Sequence, residues 1–258
     1  MLRRFSLLLC LLCCGMLEMQ AQSSPLLHTP ALAPQGKMLA FSYQGDIWTV
    51  SVNGGTARRI TIHESYEGNP SWTPRGDKLL FQGYRYGNPD VFSVEAEGGA
   101  VERHTWFSGS DYNPSIAPDG TIWFNSRRIY REVERLPEVF TLQPDGGWTP
   151  QRQLDALGEK PVVSPNGRYV AFVRGYCRSA REAYVGSANR DIWLFDQETG
   201  EYKQLTDHQG QDIQAEWKDN QTLVVLSARS GRYNLYELSI DESGARVGDL
   251  KPLTDYSE

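Results

Sequence analysis

Cysteine is almost absent from the chain. Of its four cysteines, Cys10, Cys13 and Cys14 fall within the first 21 residues, and only Cys177 stands beyond them. A single thiol closes no intramolecular disulfide, so the fold beyond residue 21 cannot rest on one. A nucleophilic Cys177 would need a histidine and an orienting partner beside it, so it is read as a loop or core thiol. Positive charge is in deficit too. Lys and Arg number 26 against 32 Asp and Glu, for a net charge of −6, or −7 once Arg3, Arg4 and Glu18 of the first 21 residues are set aside. A nucleic-acid-binding domain carries the opposite balance, so no nucleic-acid partner is expected.

Catalytic signatures are missing as well. There is no Gly-x-Ser-x-Gly elbow, and no second histidine follows His63-Glu64 at metalloprotease spacing. Asp111, Asp119 and Asp219 lie in no calcium-loop pattern. No catalytic residue, metal or cofactor is expected. Long apolar runs are also lacking. Phe5 to Leu12 follows Arg3 and Arg4 and leads to Met19-Gln20-Ala21. That pattern predicts a secretory signal cleaved after Ala21, too short for the roughly 20 residues of a membrane span. Leu9, Leu12 and Cys13, which precede the three early cysteines, do not suit a lipoprotein signal. The expected destination is the periplasm or the exterior, with no membrane span retained.

What the chain does have is repetition. Asn69 to Thr105 contains four short strand-like runs punctuated by Pro74-Arg75-Gly76, the loop Gly83 to Pro89, and Glu97-Gly98-Gly99. The pattern recurs with its first turn at Gly36, Gly76, Gly120, Gly167 and Asn220, in steps of 40, 44, 47 and 53 residues. A blade of four strands needs about 40–45 residues, and one blade alone cannot bury both faces of its sheet. The fold expected is therefore all-β: a β-propeller of four-stranded antiparallel blades, with five blades, at 27–62, 63–106, 107–155, 156–207 and 208–255, of a ring of six. The end of the chain at Leu253-Thr254-Asp255 repeats the links at Ile60-Thr61 and Leu205-Thr206-Asp207. This suggests a fragment or a truncated reading frame. The repeated aromatics Trp48, Phe92, Phe140, Trp193 and Tyr236 read as core between blades. His63 and His208 read as link residues, and the Gly54-Gly55, Gly98-Gly99 and Gly146-Gly147 pairs as hairpin turns.

The third and fourth units differ from the others by insertions at one place. From the turn glycine to the acid opening the third strand is 10 residues in the first unit, then 14, 18 and 24. Inserted segments in repeats fall on one face, often the binding face. These carry Arg127, Arg128, Arg131 and Arg135, then Arg174, Arg178, Arg181 and Arg190, interleaved with Tyr130, Tyr176 and Tyr184. Guanidinium groups grip carboxylates in a bidentate fork, so Arg127, Arg128, Tyr130, Arg131, Arg174, Tyr176, Arg178 and Arg181 are the candidate substrate-binding residues, with a peptide C-terminus as one ligand. Pairing with Glu132, Glu134 and Glu182 on a solvated loop is the competing reading.

The segments Pro-Ser-Trp-Thr-Pro-Arg-Gly at 70 to 76, Ser-Pro-Asn-Gly at 164 to 167 and the Asp-Ile-Trp strand starts resemble TolB-type propeller repeats. Their order, from Ser24-Pro25-Leu26-Leu27-His28 through Gly45-Asp46-Ile47-Trp48 to Arg190-Asp191-Ile192-Trp193, resembles the N-terminal propeller of secreted bacterial tricorn-like serine peptidases. The resemblance implies a six-bladed propeller followed by a second propeller, a PDZ-type domain and peptidase domains that hold the catalytic groups. For this stretch it implies a gate or binding surface for peptides and a scaffold for the peptidase. The expected partners are peptides or a protein on the loop face and the downstream peptidase domains; self-association stays open. Two other readings also stay open: a stand-alone TolB-like periplasmic propeller that binds a protein, and the propeller of a prolyl-oligopeptidase-type enzyme.

Overall fold

In each unit the chain runs as an up-and-down meander, because every apolar run is strand-length and each is stopped by a turn. The structure, a computed structural model, describes residues 26–130, 132–143, 147 and 149–256. The expected signal, its cleavage point, the three early cysteines, Arg131 and Gly146 lie outside the described residues. The first blade holds β1 (His28–Leu32), β2 (Met38–Tyr43), β3 (Asp46–Ser51) and β4 (Arg58–Arg59). The second holds β5 (Glu67–Trp72), β6 (Lys78–Gly83), β7 (Asp90–Glu95) and β8 (Glu102–Arg103). The third holds β9 (Asp111–Ile116), β10 (Ile122–Ser126), β11 (Glu138–Leu142) and β12 (Gln151–Arg152). The fourth holds β13 (Glu159–Val163), β14 (Tyr169–Arg174), β15 (Asp191–Asp196) and β16 (Tyr202–Gln204). The fifth holds β17 (Asp212–Trp217), β18 (Thr222–Ser227), β19 (Asn234–Ile240) and β20 (Arg246–Pro252). Each blade is a separate antiparallel sheet in chain order, so the molecule is all-β, with five four-stranded blades.

The blades stack face to face through one repeated sandwich. Leu79, Phe81, Phe92 and Val94 of the second blade pack on Ala40 and Ile47 of the first. Ile122, Phe124, Phe140 and Leu142 pack likewise on Leu80 and Val91. Val170 and Phe172 then meet Trp123 and Val139, and Leu223, Val225, Tyr236 and Leu238 meet Ala171, Val173, Ile192 and Leu194. Burying one such side chain contributes roughly 1.5–3 kcal/mol, and neighbouring blades supply the burial that one sheet cannot. The inner strands follow one another about an axis, β1 on β5, β5 on β9, β9 on β13 and β13 on β17, but no such packing joins β17 to β1. Among the described residues two faces therefore lack a neighbouring blade: Leu39, Trp48 and Val50 in the first blade, and Val224, Leu226 and Leu235 in the fifth. Trp48 is accordingly only half-buried, with its indole N–H donated to the Tyr43 carbonyl at 3.0 Å, whereas Phe92 and Phe140 are enclosed.

Candidate functional site

Four of the five inner strands carry a bulge at a residue followed by proline. Thr29, Asn69, Asn113 and Lys160 have positive φ, from 48° to 53°, and precede Pro30, Pro70, Pro114 and Pro161. The ladder shifts register at each of these places. Proline has no N–H to donate, so it fits a bulge in the strand that edges its sheet along the axis. A bulge re-aims a side chain, and these side chains make a polar belt. Thr29 Oγ1 meets Ser42 Oγ at 3.0 Å and accepts from Asn69 N at 3.3 Å. Asn69 Nδ2 donates to Gln82 Oε1 and Asn113 Oδ1, both at 2.9 Å. Asn113 Nδ2 donates to Asn125 Oδ1 at 3.2 Å, and that oxygen also accepts from Lys160 N at 2.8 Å. Lys160 Nζ completes the belt by donating to the Ile213 carbonyl at 3.1 Å and to Gln214 Oε1 at 3.4 Å.

Beside this belt lies a cavity of about 540 Å3, lined among others by Asn69, Tyr112, Asn113, Arg127, Lys160 and Arg190. Three cations reach it from the third and fourth blades, and one carboxylate, Glu159, answers Arg190 at 2.7 Å. Burial, and then the Arg190 charge, hold the Lys160 ammonium below the usual lysine range. Burial, followed by the Glu159 carboxylate, pushes the Tyr112 phenol up to about 12, so it stays a hydrogen-bond donor at neutral pH. The cavity thus offers surplus positive charge and neutral donors on a chain that is acidic overall, a combination suited to a carboxylate.

The insertions are fixed at their stems. Arg127 Nη2 donates to the Arg135 carbonyl at 2.6 Å, and the Arg135 guanidinium lies 4.9 Å from the Tyr176 ring centre, so the two loops touch. The longer one turns back at Gly175, where φ is +126° and a Cβ would come within 1.9 Å of the Asn189 carbonyl oxygen. It leans on the fifth blade through Tyr233 Oη to the Ser179 carbonyl at 2.6 Å and Arg232 to Glu182 at 3.3 Å.

Of the arginines and tyrosines expected to bind substrate, Arg127 faces the axial cavity. Arg128 is held by the buried Asp111 at 2.6 Å and stacks over Phe107 at 4.7 Å. It is the third-blade copy of the Glu67–Arg85 and Asp212–Arg229 pairs, which makes it part of the repeat architecture. Arg174 stacks on Trp193 at 4.8 Å, Arg181 on Tyr184 at 5.1 Å, and Tyr130 lies under Arg152 at 5.1 Å. Tyr176 and Arg178 are exposed on the rim, and Arg131 is outside the described residues. The cavity residues Tyr112, Glu159 and Lys160 were not picked out from the sequence. The signal was present in the repeated x-Pro step, which puts Lys160 in line with Asn69 and Asn113. His63 and His208 cap links, Nδ1 accepting from Ser65 N at 3.0 Å and from Gly210 N at 2.8 Å. Cys177 is buried in the long insertion. Among the described residues no cluster of three or more His, Cys, Asp or Glu could hold a metal ion, and no helix is long and apolar enough to cross a membrane.

Radially stacked four-stranded meanders with a polar axis define a β-propeller. The particular kind follows from comparison: the chain matches the tricorn protease N-terminal β-propeller domain over residues 24–257 and belongs to that family. It is similar to tricorn protease homolog 1 of Streptomyces coelicolor, 25% identical over 226 residues, which is 83% of this chain and 20% of that protein. A TolB homolog of Chlorobium luteolum is 37% identical over 54 residues, covering 21% of this chain and 12% of that protein. The chain thus spans a fifth or less of the curated relatives it matches. Among solved structures, the tricorn protease crystal structure superposes with a TM-score of 0.74 at 18% identity, over 90% of this chain and 23% of that one. A TolB-like protein of Agrobacterium tumefaciens gives 0.70 at 16% identity, over 90% and 82%. At these identities the structural likenesses speak for the fold alone.

Proposed function

We propose that this chain is the non-catalytic propeller of an exported tricorn-like serine peptidase, where it binds or gates peptides and scaffolds the peptidase domains. The observation that carries this reading is the axial cavity, in which Arg127, Lys160 and Arg190 surround neutral donors at the loop end of the propeller. A peptide presenting a free α-carboxylate meets there the charge and hydrogen bonds that it loses on leaving water. Family membership supports the attachment to peptidase domains, and the basic, apolar start supports export to the periplasm with cleavage after Ala21. A sixth wedge between the free Leu235 and Trp48 faces is the natural complement of the sandwich repeated at the other junctions.

The test is calorimetric titration of the purified chain with matched peptides ending in a free carboxylate or an amide. Free-acid peptides are expected to bind about tenfold more tightly, the order of one charge-assisted hydrogen bond. Arg127→Ala should erase that preference. Equal affinity for acid and amide would remove the carboxylate-binding role, and hydrolysis of either peptide by the chain alone would remove the non-catalytic one.

A further inference from the structure

Each junction between blades brings together two acids at the loop end, one opening the third strand of a blade and one opening the first strand of the next. Backbone hydrogen bonds fix their relation: Glu67 N donates to the Gly45 carbonyl and Asp111 N to the Pro89 carbonyl, each at 2.8 Å. At the first junction Asp46 is paired with Arg59 and Glu67 with Arg85. At the second, Asp90 is paired with Arg103 at 2.7 Å and Asp111 with Arg128 at 2.6 Å. Both junctions hold two carboxylates and two guanidinium groups. At the third, Glu138 accepts from the backbone N–H of Ile129 and Tyr130, and Glu159 pairs with Arg190.

The fourth junction departs from this balance. Asp212 N donates to the Arg190 carbonyl at 2.9 Å, which sets Asp191 and Asp212 in the same relation as the other acid pairs. Asp212 keeps an arginine, Arg229, at a longer 3.4 Å. Asp191 has none. Gln204 pairs with Trp193 in the register in which Arg59 pairs with Trp48 and Arg103 with Phe92. The Gln204 amide turns away to the Thr206 carbonyl at 2.8 Å. Asp191 Oδ1 is buried and finds no hydrogen-bond partner among the described residues. In the fifth blade the same position is Asn234, a neutral side chain of the same shape. Its Oδ1 accepts from Thr254 Oγ1 at 2.9 Å and Tyr256 N at 2.7 Å, and its Nδ2 donates to Ser230 Oγ at 3.1 Å. A protonated aspartate likewise has one donor and one acceptor and no charge.

We propose that Asp191 is a proton-operated latch on the fifth blade: with no arginine to answer it, its carboxyl fits the closed junction between the fourth blade and β17 only when neutral, and its ionisation beside Asp212 loosens that junction. Burial, then the Asp212 and Asp207 carboxylates, push the Asp191 carboxyl up to about 7. The other charged groups near it are engaged elsewhere: Arg174 over Trp193, Arg190 with Glu159, Arg229 with Asp212, and Arg246 with Asp207 at 3.5 Å. His208 in the link uses Nδ1 to accept from Gly210 N. Opening the junction returns Asp191 to water and to the ordinary value of 3.8. A carboxyl raised in the closed state favours closure fully in acid. That advantage is lost as pH climbs from about 4 to about 7 and changes no further above it.

Hydrogen exchange of the purified chain, read on peptides spanning 206–212 and corrected for intrinsic rate, tests the latch between pH 5 and 8. Protection in the wild type is expected to fall about tenfold or more, since each unit of pKa difference is worth up to a factor of ten. In Asp191→Asn protection should stay flat, and Asn234 shows that the fold accepts that side chain in this setting. Because His208 is common to both proteins, their difference reports Asp191. Gln204→Arg restores the missing guanidinium and should also abolish the fall. The link at 61–66, beside the paired Asp46, is the internal reference and should not change. An equal fall in Asp191→Asn, or the same fall at 61–66, would overturn the proposal.

Discussion

The second and fifth blades share one strand pattern but differ in what it buries. In the second, β7 is buried on both faces from Asp90 through Val94. In the fifth, burial along β19 alternates, with Asn234, Tyr236, Leu238 and Ile240 inside and Leu235 39% exposed. The strands themselves do not cause this difference. Leu79 and Phe81 have the first blade beneath them and Leu80 has the third, whereas Leu223 and Val225 rest on the fourth and the half-buried Val224 and Leu226 meet no further blade among the described residues. The fifth blade also concedes polarity on its free face. Glu237 stands where the fourth blade has the buried Leu194, and it reaches Lys218 at 2.8 Å. A propeller repeat is thus written for two neighbours, and its stability is a property of junctions more than of blades.

The sharpest way to break the comparison is to delete the same kind of side chain on each side of it. Phe81 is fully enclosed and its ring centre lies 5.7 Å from that of Phe92. Phe81→Ala is expected to cost about 3–5 kcal/mol, seen as a lowered urea midpoint. Leu226→Ala on the free face should cost about 1–2 kcal/mol, because that side chain is half-buried and meets no neighbouring blade. Comparable losses in the two variants would mean that the fifth blade's outer face is covered in solution.

A smaller effect is expected at the strap. The fourth-blade insertion presses on the fifth blade, so the poorly covered blade borrows contacts from a loop. Gly175→Ala would force a Cβ into the Asn189 carbonyl from a left-handed backbone, a strain of about 2 kcal/mol. Proteolysis should then cut between Gly175 and Arg190 faster than in the wild type while the second blade keeps its exchange protection. Unchanged cleavage would show that the loop is not held by its stem. Next comes the axial belt. Asn113→Ala removes the acceptor for Asn69 and the donor to Asn125 and is expected to cost about 1–2 kcal/mol in urea titrations. Gln214→Ala, at the fifth-blade end where the x-Pro bulge is absent, should cost under about 0.5 kcal/mol.

Much of the fold is legible in the sequence. Turn glycines at matched positions and acid-aromatic strand starts fix the blades, because only a short strand and a tight turn satisfy that spacing. The fifth repeat has no glycine at its first turn but keeps the turn bond of the third: Asp219 Oδ1 accepts from Gln221 N at 2.9 Å, as Asp119 Oδ1 accepts from Thr121 N. The site was less legible. Arg128 looks from sequence like its neighbour Arg127, and only the fold shows that it neutralises Asp111, 17 residues away, while Arg127 turns to the cavity. Lys160 carries no local mark of function, because its partners Ile213 and Gln214 belong to the next blade. Ion pairs inside a blade recur at matched offsets, as in Glu67–Arg85, Asp111–Arg128 and Asp212–Arg229, whereas contacts between blades such as those of Lys160 span a step that lengthens along the chain and escape a periodic reading.

The least effect, and the one that says most about the open side, is expected at Leu235. Its side chain occupies the position that Ile192 fills in the fourth blade, where Ile192 is wholly buried against the fifth. Replacing Ile192 by serine should cost several kcal/mol, since it removes apolar contact and buries an unpaired hydroxyl. Replacing Leu235 by serine changes a surface already in contact with water, so its cost should stay within about 0.5 kcal/mol. If the free face attracts a sixth wedge or another molecule, Leu235→Ser will leave the dilute chain's unfolding midpoint unchanged yet reduce its concentration-dependent association in sedimentation runs. Should the substitution destabilise the dilute monomer as much as Ile192→Ser does, the fifth blade would have a neighbour on both sides, and the asymmetry between it and the second blade would vanish.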